Sequence, residues 1–338
     1  MVQKTVTIAG SVTVAKVSHG LMRMTGTLPP VSDEVAFEAI KGGVDALPSG
    51  VKMFLNGGAF YAPDRGPANL ELIARFFEKY PEYADKAFLS IKAGVGANGV
   101  DCSAESLRRN MDVVLRSLRG TKRVDLFQPA RIDPKVGLED IMQTLVQLHS
   151  EGKFDYIGLT ECSAVTLRRA HAIHPIAVAE IEISPFSYED ETKRVIATAK
   201  ELGIAIAAYA PLGAGLLTGT MRSPSDLPEG DMRCIFSRFQ EDNMHANLAI
   251  VDALTAVAER KHIALGQLCI AWVGQLGDHV IPLPGSSNKK RTLENLEGGN
   301  IDISSEELKE IEQILQTHRV KGERYFGAEK NEQLYLWG

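Results

Sequence analysis

The sequence predicts an α/β chain folded as a (β/α)8 TIM barrel with an N-terminal β-hairpin. Three observations lead there. Eight short runs rich in β-branched residues alternate with amphipathic helical stretches. No G-x-G-x-x-G follows the first run, which counts against an open doubly wound sheet, the alternative that the same alternation allows. Polar and glycine-rich residues also collect just after the runs: Asn56-Gly57-Gly58, Lys92-Ala93-Gly94, Thr160-Glu161, Pro211-Leu212-Gly213 and Gly285-Ser286-Ser287. A barrel concentrates its chemistry at that C-terminal rim.

Each element has its own signal. Residues 1–16, MVQKTVTIAGSVTVAK, alternate without a continuous apolar stretch, so they read as a hairpin rather than a signal peptide. VSHGLM (17–22) is the first barrel strand. A helix around Asp33–Ala46 leads to VKMFLN (51–56), and one near Asn69–Lys79 leads to AFLSIK (87–92). The helix at Ser103–Arg119 places Leu107, Met111, Val114, Leu115 and Leu118 on one stripe, with Arg108, Arg109, Asp112 and Arg116 outside it. It leads to VDLFQPA (124–130). Helices at Gly137–Glu151, Ala164–Ala172 and Thr192–Leu202 lead in turn to FDYIGLT (154–160), IAVAEIEI (176–183) and IAIAAYA (204–210). An insertion at 220–245 is long enough to be a functional loop or lid. Helices within 246–275 precede HVIPLP (279–284), and Ser304 with Glu307 forms a capping box before Leu308, Ile311 and Leu315. No linker divides the chain, so residues 1–338 form one domain, ending in a helix and tail at 304–338.

Composition narrows the function. There are 37 basic and 43 acidic residues, a formal net charge of −6, which argues against a nucleic-acid partner. No apolar run approaches the roughly 18 residues that span a bilayer, so no membrane partner is expected. The four cysteines (Cys102, Cys162, Cys234, Cys269) show no C-x-x-C and fit reduced thiols in a cytoplasmic protein. The eight histidines show no H-E-x-x-H, and His171 with His174 lies on a helix carrying Arg168 and Arg169, so no metal is expected. Oligomeric state is left open.

Three features carry chemistry. Tyr61, in FLNGGAFYAPD, and Lys92, in FLSIKAG, follow adjacent strands and would face one cavity. An ammonium near a phenol stabilises the phenolate, lowers its pKa and makes a general acid for a carbonyl oxygen. Taken alone, the two are better read as a packed tyrosine and a salt-bridged lysine. YAPLGAGLLTG (209–219) has three glycines within seven residues after an apolar strand, a weak signal for a phosphate cradle. PGSSNKKRTLENL (284–296) opens a helix with Ser286, Ser287, Lys289, Lys290 and Arg291. Cations at a helix N-terminus oppose the macrodipole, a local conflict that favours a bound anion.

Together these segments resemble the aldo-keto reductase family over nearly the whole chain. The resemblance implies an NADPH/NADP enzyme with Tyr61 as proton donor and Lys92 as its partner. It implies a nicotinamide carboxamide site at Thr160, Glu161 and Glu180, although the family commonly has Asn and Gln at the latter two. It implies a pyrophosphate loop over Tyr209, Ala210, Pro211, Leu212, Gly213, Gly215 and Leu217, within a segment 212–245 lying over the cofactor. Gly285, Ser286, Ser287 and Arg291 would meet the adenosine and its 2′-phosphate, and Glu294 and Asn295 the adenine. Two family residues are replaced: the strand-two aspartate by Asn56 and the histidine after strand four by Ala130. Without that aspartate, Lys92 is expected to lack its usual counter-charge and to exert a stronger positive field on Tyr61. FLNGGAFYAPD, LFQPARID, LLTG, LPEGDMR and THRVKGERY look like the fungal pyridoxal reductases, or pyridoxine 4-dehydrogenases, which tolerate Asn and Ala at these places. Ala59 stands where that branch usually has an acidic residue. The resemblance thus implies reduction of pyridoxal to pyridoxine. Reduction of other small aldehydes or ketones, and an NADPH-binding sensor with little turnover, are the alternatives.

Overall fold

The computed structural model describes residues 2–96, 99–327 and 334–338. Met1 of the expected hairpin and 328–333 of the expected tail lie outside the described residues. Eight parallel strands form one sheet: β1 (His19–Gly20), β2 (Met53–Gly58), β3 (Ala87–Ala93), β4 (Leu126–Pro129), β5 (Tyr156–Thr160), β6 (Ile176–Glu182), β7 (Ala205–Tyr209) and β8 (Val280–Leu283). Ser18 N–H bonds the Pro282 carbonyl at 2.9 Å and Gly20 N–H the Pro284 carbonyl at 3.0 Å, which joins β1 to β8 and closes the barrel. A Cβ on Gly20 would come within 3.3 Å of the Gly285 backbone, so a larger residue there would push the seam apart by a few tenths of an ångström.

Around the sheet run α1 (Asp33–Asp45), α2 (Ala68–Lys79), α3 (Ala104–Leu118), α4 (Leu138–Ser150), α5 (Ala164–Ile173), α6 (Asp190–Leu202), α7 (Glu241–Arg260), α8 (Leu265–Gln275), α9 (Lys289–Gly298) and α10 (Ser305–Thr317). The side chains of Ser32, Ser103, Ser163 and Ser304 accept the cap bonds that start α1, α3, α5 and α10. The stripe expected on α3 is buried at Leu107, Met111, Val114 and Leu118, and the Ser304–Glu307 box is formed.

Strand alternation divides the interior in two. In β2 and β3, Met53, Leu55, Ala87, Leu89 and Ile91 face the helices, while Phe54 and Phe88 face inward with Leu126, Val178 and Ile281. Val6, Ile8 and Val14 of the hairpin (strands Thr5–Ile8 and Val12–Ala15) join that inner cluster. The hairpin therefore plugs the N-terminal mouth with apolar side chains. One pleat period along each strand, the inward positions turn polar: Asn56, Ser90, Lys92, Gln128 and Glu180, all buried. This switch places the charged interior at the rim end.

Two boundaries change, and one pairing is unforeseen. The first barrel strand is His19–Gly20 rather than 17–22, because Leu21 N–H turns to the Asn56 carbonyl and Met22–Thr25 forms a single helical turn. The helices expected within 246–275 are two, as read, but the first starts earlier, at Glu241, with His262 in left-handed conformation between them. A small pairing of Val95–Gly96 with Gly99–Val100 follows β3, without a clear signal in the sequence. The insertion holds 3-10 turns at Pro224–Asp226, Met232–Ile235 and Ser237–Phe239.

Candidate functional site

Lys92 leaves β3 with its ammonium inside the barrel, 5.4 Å from the centre of the Tyr61 ring. Tyr61 is held there by its backbone. Its carbonyl accepts from Thr25 Oγ1 at 2.6 Å, and Asn69 of α2, fully buried, ties Thr25 Oγ1, the Leu21 carbonyl and Gly58 N–H together. Gly58 makes room for the ring, since a Cβ would sit 3.0 Å from three of its atoms. The two residues read from the sequence are thus brought together, and Asn69 is a supporting residue that the sequence pattern did not single out.

The expectation that Lys92 lacks a counter-charge is wrong. Glu180 Oε1 lies 2.7 Å from Lys92 Nζ. Its Oε2 accepts from Asn56 Nδ2 at 2.7 Å and from Gln128 Nε2 at 2.6 Å. Asn56 Oδ1 accepts from Lys92 as well. The carboxylate comes from the sixth strand, across the barrel, so the pattern around Lys92 could not reveal it. Both Glu180 oxygens already have protein partners, which differs from the carboxamide contact expected for this residue. Gln128 fits because β5 has Gly158, where a Cβ would stand 2.7 Å from Gln128 Oε1.

The electrostatics follow. Burial pushes the Lys92 ammonium down, but Glu180 and Tyr61 outweigh it and hold its pKa above the ordinary value. Burial pushes the Tyr61 phenol up; Lys92 opposes this, Glu180 adds to it, and the net direction is upward. The expected lowering of the phenol is therefore overturned: Tyr61 is a neutral acid beside a permanent cation.

A second buried cluster lies beside the first. Glu161 follows β5 with φ +52, a left-handed conformation uncommon for glutamate. Its Oε1 accepts from Arg324 Nη2 at 2.7 Å, Tyr209 hydroxyl at 2.7 Å and Glu182 N–H at 3.0 Å. Arg324 also reaches Glu182 at 3.1 Å, and the Tyr209 and Tyr325 hydroxyls are 2.8 Å apart. Burial raises Glu161, but Arg324 and Arg131 outweigh it and hold it below the ordinary carboxylate range. Ala130 is buried, and the next residue, Arg131, donates to the carbonyls of Ala130 at 2.6 Å and Leu334 at 2.9 Å. The chain end returns here: Trp337 and Gly338 carbonyls accept from Ser163 N–H and Thr166 Oγ1, both at 2.8 Å. Arg131, Glu182 and Arg324 were not singled out from the sequence, although THRVKGERY contains the last.

The glycine-rich segment forms a 3-10 turn over Gly213–Thr218, with Gly213, Ala214 and Gly215 all at positive φ. From the insertion, Arg233 donates to the Ala214 carbonyl at 2.9 Å while paired with Asp231 at 2.7 Å. Ala210, Pro211, Leu212 and Leu217 line the same stretch, with Pro211 and Leu217 buried. At the seam, Ser286 is buried and its hydroxyl bonds the Asn288 backbone, while Asn288 caps α9 at Arg291 N–H. Gly285 and Arg291 are exposed, and Ser287, Glu294 and Asn295 are partly so. Lys289 instead reaches Glu38 of α1 at 3.4 Å, so this cation has a protein partner of its own. Among the described residues, no cluster of His, Cys, Asp or Glu could hold a metal, and no helix is long and apolar enough to cross a membrane.

A closed parallel barrel with a half-buried tyrosine beside a buried lysine at its C-terminal rim is the class of architecture that fold and site define. Residues 16–316 match the aldo/keto reductase family, and the chain belongs to it. It is 35% identical to the probable pyridoxal reductase 2 of Schizosaccharomyces pombe, covering 92% of this chain and 95% of that one. It is 36% identical to aldo-keto reductase str7 of Strobilurus tenacellus (75% and 76% covered) and 36% identical to aldo-keto reductase yakc [NADP(+)] of S. pombe (76% and 78% covered). A glycerol dehydrogenase of Gluconobacter oxydans shares the fold, with a TM-score of 0.81 at 23% identity over 96% and 98% of the two chains.

The chain is thus an oxidoreductase of a family that uses NADP(H). Its residues fit that cofactor. Thr160 Oγ1 and Glu161 Oε2 are buried polar atoms without a protein partner, suited to an amide donor and acceptor. At the start of α9, Lys290 and Arg291 are exposed cations able to meet a phosphate.

Proposed function

We propose that the protein reduces pyridoxal to pyridoxine with NADPH. The observation behind the chemistry is the neutral Tyr61 phenol beside the Lys92–Glu180 pair. Bound NADPH would supply the hydride for the aldehyde carbon. Tyr61 gives its proton to the carbonyl oxygen, and Lys92 stabilises the phenolate left behind until solvent returns the proton. Thr160 and Glu161 are assigned to the carboxamide; Tyr209 and the 210–217 turn to the nicotinamide side and pyrophosphate; Gly285, Ser286, Ser287, Arg291, Glu294 and Asn295 to the adenosine end. Arg23, in the helical turn after β1, adds a further cation near this end: partial desolvation lowers its pKa, Arg233 lowers it further, Asp231 opposes this, and Arg291 lowers it again.

Pyridoxal rests on the relative matched over nearly the full length. A reductase of other small aldehydes is supported by the relatives named only as aldo-keto reductases at similar identity. The four free cysteines, three of them buried, suit a reducing cytoplasmic setting. The test compares kcat/KM for pyridoxal with a panel of aromatic and aliphatic aldehydes under NADPH. Pyridoxal should lead the panel. A higher value for another aldehyde replaces the substrate, and NADPH binding with no steady oxidation on any aldehyde points to a sensor.

A further inference from the structure

We propose that Glu180 is the positioning residue for proton transfer: from the sixth strand it supplies the single negative charge that holds the Lys92 ammonium against Tyr61, with Asn56 as a neutral bridge between the two. The inference rests on the carbonyl-reducing role given to Tyr61, but not on the identity of the aldehyde.

The geometry points to Glu180 on three counts. First, Lys92 and Glu180 are both buried, and their atoms lie 2.7 Å apart. A buried ammonium without a partner carries a large desolvation cost, so this carboxylate decides whether Lys92 stays charged. Second, Asn56 faces both members, accepting from Lys92 and donating to Glu180. An amide can do this because it has one donor and one acceptor end. A carboxylate at 56 would put oxygen against oxygen where Asn56 Nδ2 now sits 2.7 Å from Glu180, and one of the two acids would keep a proton. Third, Gln128 donates to Glu180 Oε2 at 2.6 Å and to Ser90 Oγ at 3.2 Å, which fixes the carboxylate from the opposite wall. The charged groups acting on Tyr61 are then Lys92 from β3, Glu180 from β6 and Arg131 beyond β4.

One carboxylate and one amide around Lys92 can be interchanged, and this gives the test. Glu180→Gln, Asn56→Asp and the double variant Asn56→Asp/Glu180→Gln are compared with the wild type. Two readouts are used: the pH profile of kcat/KM, and the ionisation of Tyr61 in cofactor-free protein by ultraviolet difference titration against Tyr61→Phe. Glu180→Gln should lower kcat by roughly tenfold to a hundredfold, part of what a general acid contributes. Its phenol titration should move up, since the Lys92 charge that this carboxylate maintains opposes burial at Tyr61 more strongly than Glu180 adds to it. Asn56→Asp alone should also lower kcat. The double variant should recover most of the turnover and return the titration toward wild type. Glu180→Gln with an unchanged or lowered titration, or a double variant as slow as Glu180→Gln, overturns the proposal. If Glu180→Gln does not fold, the double variant decides alone: wild-type-like titration supports the proposal, and an unfolded or shifted protein overturns it. The titration needs no substrate, so a failure on pyridoxal leaves this outcome readable.

Discussion

Tyr61 works as a proton donor only if it keeps its proton until the substrate oxygen becomes basic. Its pKa lies above that of an ordinary phenol, chiefly through burial, and Lys92 lies above that of an ordinary ammonium. The phenol is thus neutral and the lysine charged across the physiological range, and the lysine stabilises the phenolate once the proton has moved. Tyr61 and Lys92 were legible in the sequence because each closes a short motif on a neighbouring strand. Glu180 was legible as a site residue but not in this contact, because pairing across a barrel leaves no local spacing to read. At the end proposed for the adenosine, Arg291 is exposed at the start of α9, where it can meet a 2′-phosphate. Arg291→Ala should weaken NADPH binding by roughly tenfold to a hundredfold, the worth of a charged hydrogen bond, and leave NADH nearly unaffected. Equal losses in fluorescence titrations with the two dinucleotides would remove Arg291 from that role.

At the scale of elements, the site depends on two tethers. Asn69 at the start of α2 holds the turn after β1 and the end of β2, and through Thr25 it holds the Tyr61 backbone. Asn69→Ala leaves buried groups unsatisfied and should cost about 1–3 kcal/mol in urea denaturation, with a further loss of turnover from a looser Tyr61. Arg324, in the segment after α10, bridges two buried glutamates, Glu161 and Glu182. Arg324→Met strands both carboxylates and should cost about 3–5 kcal/mol. A loss under 1 kcal/mol would show that the cluster relaxes or fills with water. The eight strands and the barrel helices were readable because their apolar periods of 2 and 3.6 are strong. The short first strand and the returning chain end were not, since both are set by contacts with residues far away in sequence.

For the whole molecule, closure and plugging send the chemistry to one end. The hairpin fills the N-terminal mouth with Val6, Ile8 and Val14, so the polar interior opens only toward the rim. At the seam, His19 is fully buried and its Nε2 meets the Ser286 carbonyl at 2.8 Å. Burial lowers its pKa from 6.5 to about 4, so the fold holds it neutral. The unfolded chain binds the proton first as pH falls, so this contribution is complete above pH 6.5 and is lost between there and about pH 4. The shift corresponds to a loss on the order of 3 kcal/mol. His19→Gln should show a flatter stability–pH curve in that window, and a curve parallel to wild type would show that His19 does not set it. The central claim is proton donation by Tyr61 during NADPH-dependent aldehyde reduction. Its most direct test is the steady oxidation of NADPH with pyridoxal and with the aldehyde panel, in wild type and Tyr61→Phe, alongside NADPH binding to each. The account predicts unchanged binding and a turnover lower by at least roughly a hundredfold in the variant; near-wild-type turnover in Tyr61→Phe would contradict it.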